Sequence, residues 1–403
     1  MMNTLVRFSR NLVQMNKNSK TVLVGMSGGV DSSVSAALLL EQGYTVVGGF
    51  IKNWSDSKDL WTGECQWRGE RRDAMRVAAK LGIPLLTFDF EESYRKAVVD
   101  ELFRGYGAGE TPNPDVLCNE FIKFGLFADE AKRLNFDYIA TGHYARVEHA
   151  DSGSGAGIFQ ARTVEHVLNA NPQQENDCTG AACSARLMRG RDPDKDQSYF
   201  LYRISHDVLQ RTLFPIGELK KSVVREIAER FQLPVAQKPD SQGICFIGKI
   251  DMAEFLRKKI PSKPGDIVDE TGKILGQHEG LDSYTIGQRH GILKSDTQPY
   301  YVAKKDVATN HLVVVKGSDH PMLFQKKTTL RDLHWTRGEA PQTPLECEVQ
   351  VRYRQEPVKA ELQVLQPTAY SLTFHSPVKA VAPGQSAVIY VGDECIGGGI
   401  IVE

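Results

Sequence analysis

The segment VLVGMSGGVDSSVSAALL, residues 22–39, constrains the fold of this chain more than any other. It consists of two apolar runs separated by a loop of glycine and serine. The first run, at residues 21–25, predicts a short buried strand, and the second, at residues 30–42, predicts a helix that ends before Gly43. A strand followed at once by a tight loop and a helix is the opening of an α/β unit, and its loop lies at the carboxyl end of the strand.

The same alternation of strand and helix continues to about residue 144. Apolar runs predict further strands, and the amphipathic segments between them predict helices. The predicted strands are residues 45–51, 84–90 and 137–141, and the predicted helices are residues 68–81, 91–104 and 118–134. This alternation predicts a parallel sheet covered by helices, on which ligands bind at the carboxyl ends of the strands.

The loop SGGVDSS, residues 27–33, has the composition of a phosphate-binding loop. Gly28 and Gly29 let the backbone turn tightly, and the free N–H groups at the start of the following helix bind anions. Three side chains add hydroxyl donors, namely Ser27, Ser32 and Ser33. The loop therefore predicts a site for the phosphates of a nucleotide.

The loop contains no lysine, which excludes the Walker A motif GxxxxGK[ST], and it does not match the dinucleotide motif GxGxxG. A Walker lysine reaches the β- and γ-phosphates during γ-phosphoryl transfer. A loop that holds pyrophosphate by its backbone and serines favours cleavage between the α- and β-phosphates instead. Asp31 is a candidate ligand for Mg²⁺ in such a site. The string SGGxDS resembles the signature of the PP-loop ATP pyrophosphatases, which adenylate a substrate oxygen and release pyrophosphate.

The rest of the chain divides by composition. Small and polar residues predict a disordered surface insertion at residues 151–184 within an α/β domain of residues 21–235. Proline and glycine in KPDSQGICFIG indicate a boundary, after which we expect a small central β-rich domain at residues 236–298. Short alternating strands then predict an antiparallel β-barrel at residues 299–403.

The first 30 residues contain Arg7, Arg10, Lys17 and Lys20 but no acidic residue. This composition is typical of a mitochondrial transit peptide, so we expect a leader at residues 1–20 and a protein of the mitochondrial matrix. The alternative is a disordered tail on a cytosolic protein.

The chain of 403 residues has no apolar run long enough to span a membrane, and its net charge of −1 neither indicates nor excludes nucleic acid. We expect a monomer.

Two of the seven cysteines lie in unusual surroundings. The odd number and wide spacing of the seven cysteines argue against a secreted disulfide framework and against a zinc motif. We assign no role to Cys178 and Cys183. Before Cys118 we expect Asp115 to cap a helix, which places Cys118 in the first turn, where a thiol pKa is lowered. Cys245 lies between two glycines in KPDSQGICFIG, a loop that can bend close to a ligand. Either cysteine taken alone is more typical of a buried core thiol.

Several motifs, taken in order, resemble those of the tRNA-specific 2-thiouridylase family. They are GMSGGVDSSVSAALLLEQGY, KNW, TPNPDVLCNEFIKFG, ATGHYAR, DKDQSYFL, KPDSQGICFIG and SYTIGQRHG. The resemblance runs from about residue 21 to the C-terminus, interrupted by the insertion. Because of the basic leader, the chain resembles the mitochondrial branch most.

The resemblance implies a tRNA-uridine 2-sulfurtransferase that acts on the wobble uridine. ATP adenylates O2 of the base and pyrophosphate leaves, after which persulfide sulfur from a sulfur-relay protein or a cysteine desulfurase gives 2-thiouridine and AMP. It implies that Cys245 receives the sulfur and forms a transient disulfide with Cys118. Either Cys118 releases hydrosulfide from the persulfide, or the terminal sulfur attacks C2 and Cys118 resolves the persulfide afterwards. The mitochondrial branch suggests a taurinomethyl or carboxymethylaminomethyl group on C5 of the uridine.

The resemblance also implies contacts at positions within the motifs. For ATP it implies Gly25, Met26, Ser27, Gly28, Gly29, Val30, Asp31, Ser32, Gly142 and Ile51, the last through its backbone. For the target base it implies Asn113, Pro114 and Asp115. For the rest of the tRNA it implies His143, Lys195, Asp196 and Gln197, and on the C-terminal barrel Arg352, Tyr353 and Gln385. A structural histidine at position 143, a solvated charged face around Lys195 and a core aromatic at position 353 are the alternatives.

Two other functions fit the nucleotide loop. A PP-loop ligase that forms an amide or amine linkage would use the same ATP chemistry and would need neither Cys118 nor Cys245. A non-catalytic tRNA-binding protein would bind tRNA without converting ATP to AMP.

Overall fold

The structure is a computed structural model that describes residues 19–55, 65–150, 184–240, 252–257, 259–261, 263–289, 291–292, 298–366 and 369–402. The predicted leader lies outside these residues except for positions 19 and 20, and the predicted insertion lies outside them except for Ser184. Cys178, Cys183 and Cys245 also lie outside the described residues.

Five parallel strands form the first sheet, in the spatial order β3-β2-β1-β4-β7. They are β1 (Thr21–Gly25), β2 (Thr45–Lys52), β3 (Leu85–Asp89), β4 (Tyr138–Ala140) and β7 (Thr212–Leu213). The first four begin and end within one residue of their predicted positions, because continuous apolar runs are what a sheet covered on both faces requires. The predicted parallel α/β sheet is confirmed.

Helices cover both faces of this sheet. They are α1 (Val30–Glu41), α2 (Gln66–Leu81), α3 (Glu91–Tyr94, a π-helical stretch Arg95–Val99, and Asp100–Gly107), α4 (Pro114–Leu117, a π-helical stretch Cys118–Leu126, and Phe127–Arg133), α5 (His206–Leu209) and α6 (Lys221–Arg230). Val22 and Val24 of β1 pack into one buried cluster with α1 and α6, whereas Leu23 packs into the other with α3 and α4. Alternation along the strand therefore divides the core into two layers.

A second sheet has the order β10-β11-β8-β9. Its strands are β8 (Gly265–Val268), β9 (Ile274–His278), β10 (Tyr300–Asp306) and β11 (His311–Lys316), and helix α7 (Met252–Arg257) precedes them. β8 and β11 are hydrogen-bonded neighbours, so the boundary predicted between residues 298 and 299 falls inside this sheet. The central unit extends to Lys316 because β10 and β11 complete its sheet.

The C-terminal strands form a closed antiparallel barrel. They are β12 (Phe324–Trp335), β13 (Leu345–Gln350), β14 (Val358–Gln366), β15 (Ala369–Lys379), β16 (Ser386–Val391) and β17 (Glu394–Ile401), and pairing of β12 with β17 closes the barrel. A hairpin from the α/β domain, β5 (Ala145–Ala150) and β6 (Ser184–Arg189), extends this sheet beside β17. The barrel predicted from the alternating strands is confirmed. Among the described helices, none is long and apolar enough to cross a bilayer.

Candidate active site

The candidate site lies at the carboxyl edge of the parallel sheet. β1 leads into the glycine–serine loop, its neighbour β2 leads into Asn53, and its other neighbour β4 leads into Gly142. The chain runs from β1 to β2 on one side and to β4 on the other, so this edge contains the switch point at which open α/β sheets bind ligands. α4 returns the chain to the start of β4, so its first turn, at Pro114, begins near the same edge.

The loop between β1 and α1 is shaped by its own side chains. Gly28 has φ = 75°, and a side chain there would collide with the carbonyl oxygen of Glu70 on α2. Ser33 Oγ donates to the carbonyl of Gly29 at 2.7 Å, so this hydroxyl serves the loop. Gly29 caps α1 in an extended conformation without a side-chain hydrogen bond. The first N–H groups of α1 therefore have no intrahelical acceptor and point to where an anion binds.

Three apolar residues among the predicted nucleotide contacts have buried side chains. The side chains of Met26 and Val30 are buried in the core cluster between α1 and the sheet. Ile51 is likewise buried near the end of β2, paired with Phe88 of β3. The buried side chain of Ile51 leaves only its backbone for the predicted contact to ATP, and the N–H of Met26 donates to the carbonyl of Gly49 at 2.9 Å.

Asp31 is held by two donors from outside the loop. Lys221 Nζ lies 2.8 and 2.9 Å from its two carboxylate oxygens, and the hydroxyl of Tyr144 donates to it at 2.8 Å. Burial, followed by the charge of Asp31, raises the pKa of Tyr144, so that hydroxyl stays protonated. Both oxygens of the candidate Mg²⁺ ligand Asp31 thus accept at least one hydrogen bond within the protein. Within the described ranges, no group of three or more His, Cys, Asp or Glu side chains is placed to hold a metal.

Asp240 collects three cations next to this pair. Its carboxylate lies 2.9 Å from Lys221, 2.9 Å from Lys195 and 2.7 Å from Arg225. Burial works against the charged form, but the ammonium groups of Lys221 and Lys195 outweigh it and lower the pKa of Asp240 to about 2. Lys195, expected at the tRNA, is thus linked to the nucleotide loop through Asp240 and Lys221.

The helix that carries Cys118 begins earlier than predicted. The Asn113 side chain, not that of Asp115, caps it, accepting from the backbone N–H groups of Asp115 at 3.1 Å and Val116 at 3.3 Å. Pro114 takes the first helical position, which its fixed φ favours. Cys118 is therefore in the second turn and is fully buried. The predicted first-turn location is wrong, and the helix dipole acts weakly at this depth.

His143 is a buried structural histidine in this conformation. Its Nδ1 lies 2.7 Å from Thr141 Oγ1 and its Nε2 lies 3.4 Å from Lys123 Nζ, so Lys123 donates and the ring donates to Thr141. Burial and then the charge of Lys123 keep its pKa well below the ordinary 6.5. Beside it, Gly142 touches the nucleotide loop, because a Cβ there would lie 2.6 Å from the backbone nitrogen of Ser32.

The remaining predicted tRNA residues make contacts inside the protein. Asp196 Oδ1 accepts from the backbone of Gly190 and Ser198, and Gln197 Oε1 accepts from the backbone of Tyr144 at 3.0 Å. These two side chains hold the turn after β6, and Lys195 of the same motif faces Asp240.

The three barrel residues predicted to contact tRNA hydrogen-bond with, or pack against, residues of the other two domains. Gln385 donates to the carbonyl of Thr111 at 2.6 Å, next to the cap of α4. Arg352 donates to the carbonyl of Ile286 at 2.9 Å, in the SYTIGQRHG motif. The half-buried ring of Tyr353 lies 4.3 Å from that of Phe200 and packs against the core cluster. The barrel therefore braces the loop that precedes Cys118.

Asn53 is a site residue that the sequence reasoning missed. It is 1% exposed, and neither atom of its side-chain amide has a hydrogen-bond partner in the described part of the chain. A buried amide without partners is costly, so Asn53 is a candidate for contact with a ligand that supplies both a donor and an acceptor. The signal was its place in KNW directly after a predicted strand. Lys221, Lys238 and Asp240 were also missed, since only the fold brings them to the loop.

The fold and the site together define a nucleotide-binding α/β protein with two further β domains. Three family models match it in order: the tRNA methyl transferase HUP domain at residues 20–249, the tRNA methyl transferase PRC-barrel domain at 253–316 and the aminomethyltransferase beta-barrel domain at 325–401. The division between the last two agrees with a central sheet that ends at Lys316.

Curated relatives match nearly the whole chain. The tRNA-specific 2-thiouridylase MnmA of Janthinobacterium sp. (strain Marseille) is 45% identical over 392 residues, 95% of this chain and 97% of the relative. Those of Tolumonas auensis (45% over 397 residues, 96% and 98%) and Proteus mirabilis (44% over 394 residues, 96% and 98%) are as similar. The chain belongs to the tRNA-specific 2-thiouridylase family.

Solved structures resemble parts of the chain. A 4-thiouridine synthetase in complex with RNA and ATP has a TM-score of 0.33 at 14% identity, covering 60% of this chain and 50% of that one. An NMN synthetase from Francisella tularensis has a TM-score of 0.30 at 15% identity, covering 59% and 75%.

Proposed function

We infer that this protein is an ATP-dependent tRNA-uridine 2-sulfurtransferase. The observation that supports it best is one sheet edge that contains both the lysine-free phosphate loop and the start of the helix with Cys118. In the reaction, O2 of uridine attacks the α-phosphorus of ATP and pyrophosphate leaves. Sulfur then bonds to C2, and AMP departs with the former O2.

The described residues fit distinct parts of this reaction. The N–H groups in the first turn of α1, which have no intrahelical acceptor, receive the phosphates, and the backbone of Ile51 meets the adenine. Asn113, Pro114 and Asp115 line the pocket for the uridine, which must leave its stack to expose C2. The unpaired amide of Asn53 offers the donor and acceptor that a nucleobase edge requires. We propose that Mg²⁺ binds with ATP as the counter-ion of its phosphates.

The sulfur enters through the two cysteines. A donor protein passes persulfide sulfur to Cys245. In one route the Cys118 thiolate attacks the Cys245 sulfur, hydrosulfide leaves to attack C2, and a Cys118–Cys245 disulfide remains. In the other route the terminal sulfur attacks C2 first and Cys118 then displaces the thiolated base from Cys245. Both routes leave a disulfide that a cellular thiol must reduce, and both require that the buried thiol of Cys118 become accessible.

The proposed substrate and cellular compartment can be stated more closely. We propose that the target is the wobble uridine, that it carries a taurinomethyl or carboxymethylaminomethyl group on C5, and that the protein acts as a monomer in the mitochondrial matrix. The acid-free, basic leader supports the location.

The test is direct: incubate the purified protein with ATP, a persulfide donor and unmodified tRNA, and measure 2-thiouridine by nucleoside mass spectrometry. We expect product and AMP with the wild type and no product with Cys245→Ser or Cys118→Ser. Cys347→Ser is the matched control, because burial raises the pKa of this barrel thiol to about 12 and it lies away from the sheet edge.

The same assay separates the alternatives. A ligase would form AMP in both cysteine variants as well as in the wild type, and a non-catalytic tRNA-binding protein would form none. Unchanged 2-thiouridine in Cys245→Ser would sink the sulfurtransferase assignment.

A further inference from the structure

We propose that Lys238 is the phosphate-binding lysine that the SGGVDSS loop lacks, and that it pairs with the β- or γ-phosphate of bound ATP. The inference rests on the proposed function in one respect, namely that ATP binds at this loop. It adds a residue that lies outside the loop by more than two hundred positions and that the motif does not predict.

The position of the ammonium group is the first argument. Lys238 Nζ lies 3.0 Å from the carbonyl oxygen of Gly28, in the middle of the loop, and 2.7 Å from Asp73 Oδ2 on α2. The side chain is 32% exposed, and its ammonium group lies beside the loop. Because consecutive Cα atoms are about 3.8 Å apart, the first turn of α1 begins less than about 8 Å from Gly28.

Arg225 fixes the backbone of Lys238, whereas the described polar contacts of the side chain are made by its ammonium end, to Gly28 and Asp73. The guanidinium of Arg225 on α6 donates to the carbonyls of Ala236 at 2.8 Å and Lys238 at 2.6 Å, and to Asp240 at 2.7 Å. These three bonds fix the backbone of the segment that carries Lys238. A lysine ammonium on a flexible stem can then exchange Asp73 for a phosphate oxygen without moving its backbone.

The local charge balance is the second argument. Lys221, the other lysine at the loop, already contacts the carboxylates of Asp31 and Asp240. Lys238 has Asp73 as its carboxylate partner and otherwise donates to a neutral carbonyl. It is therefore the cation at this loop that a phosphate can recruit at the smallest electrostatic cost.

The competing role for Lys238 is a structural one, a brace that supports the loop through its contacts with Gly28 and Asp73. Nucleotide affinities distinguish this brace from a phosphate contact. Affinities for ATP and AMP are measured by calorimetry on the full chain without tRNA. If Lys238 contacts the outer phosphates, Lys238→Met weakens ATP binding by about 10- to 100-fold, the usual effect of losing a charge-assisted hydrogen bond, while AMP binding changes less than about 2-fold. A brace would weaken both nucleotides alike.

Three further variants sharpen the test. Lys238→Gln keeps a donor for Gly28 but removes the charge, and it should lose ATP affinity as Lys238→Met does. Asp73→Asn frees the ammonium, so it should preserve or tighten ATP binding, whereas a brace that depends on the ion pair would be weakened. Lys80→Met is the matched control: Lys80 is an exposed lysine on α2, the helix that carries Asp73, and its replacement should change neither the ATP nor the AMP affinity.

The outcomes are distinct. Equal loss of ATP and AMP in the Lys238 variants, or unchanged ATP affinity in Lys238→Gln, overturns the inference and leaves the proposed function intact. Absence of ATP binding in the wild type overturns the proposed function and the inference with it.

Discussion

His143 lies among Thr141, Lys123 and the rings of Phe124 and Phe214, and its surroundings decide its charge. Burial, reinforced by the Lys123 ammonium, holds its pKa well below 6.5 in the folded protein. In the unfolded chain it titrates near 6.5. Between these two values the unfolded state binds a proton that the folded state does not, so the free energy of unfolding decreases as the pH falls.

We therefore predict that wild type loses up to about 1.4 kcal/mol of stability for each pH unit below the unfolded pKa, and that His143→Gln lacks this component. Denaturant unfolding of both proteins at pH 7.5, 6.5 and 5.5 measures it. Parallel pH dependences for the two proteins would show that the fold does not lower the pKa of His143.

At the residue scale, sequence reasoning found the chemistry better than the contacts. The glycines and serines of the loop are explained by local geometry, so the motif predicted them. The cap of α4 was assigned to Asp115 instead of Asn113, because both residue types favour that position and only the fold selects between them. The ion pair of Lys221 with Asp31 joins residues far apart in the chain, and no local pattern indicates it.

The contact between the turn after β4 and the start of α1 is the element-scale feature on which the site depends. A Cβ on Gly142 would lie 2.6 Å from Ser32 N and 2.7 Å from the carbonyl carbon of Asp31. Both neighbours are backbone atoms of a helix first turn, so neither can rotate away. Only glycine lets β4 and α1 meet this closely.

Gly142→Ala should therefore push α1 away from β4 and distort the anion-binding N–H groups. We expect ATP affinity to fall at least about 10-fold and stability to fall by about 1–3 kcal/mol, the usual cost of overpacking. Gly69→Ala is the control, since a Cβ on this α2 residue meets nothing within 4 Å, and alanine there should be neutral or stabilising. Calorimetry with ATP and thermal unfolding report the two effects, and wild-type ATP affinity in Gly142→Ala would contradict the contact.

Among the elements, the parallel strands were the most predictable because each is a short apolar run ended by a turn. The helix from residue 118 was predicted too short, since TPNPDVL contains two prolines and the second of them opens the helix instead of preventing it. The π-helical stretches at Arg95–Val99 and Cys118–Leu126 have no signal in the composition.

At the scale of the whole molecule, the barrel and the α/β domain share one core. Val388, Tyr390 and Cys395 of the barrel belong to the same buried cluster as Tyr199 and Tyr202. The pattern of alternating strands predicted a barrel but not this union. Pairing of β6 with β17 joins residues some two hundred positions apart, and the central sheet likewise crosses the predicted boundary. Such pairings depend on tertiary contacts between distant segments, and the local sequence of each strand does not specify its partner.

Polar contacts strengthen this shared core. The hydroxyl of Tyr199 donates to the carbonyl of Ser386 at 2.9 Å, Ser198 and Tyr390 are hydrogen-bonded at 3.1 Å, and Arg331 of β12 lies 2.8 Å from Glu110. Removing the barrel would expose these groups together with the apolar cluster. Each large apolar side chain that loses its burial costs about 1.5–3 kcal/mol, so a few of them equal the whole stability of a typical domain.

We thus predict that a chain ended after residue 316 does not fold cooperatively, although it retains every residue of the nucleotide loop and both cysteines. The full chain should unfold in one calorimetric transition that includes the barrel, and the shortened chain should show no transition and bind no ATP. Differential scanning calorimetry and nucleotide titration measure this. A shortened chain that melts sharply and binds ATP would show that the α/β domain is independent, and the barrel would then be a separable module.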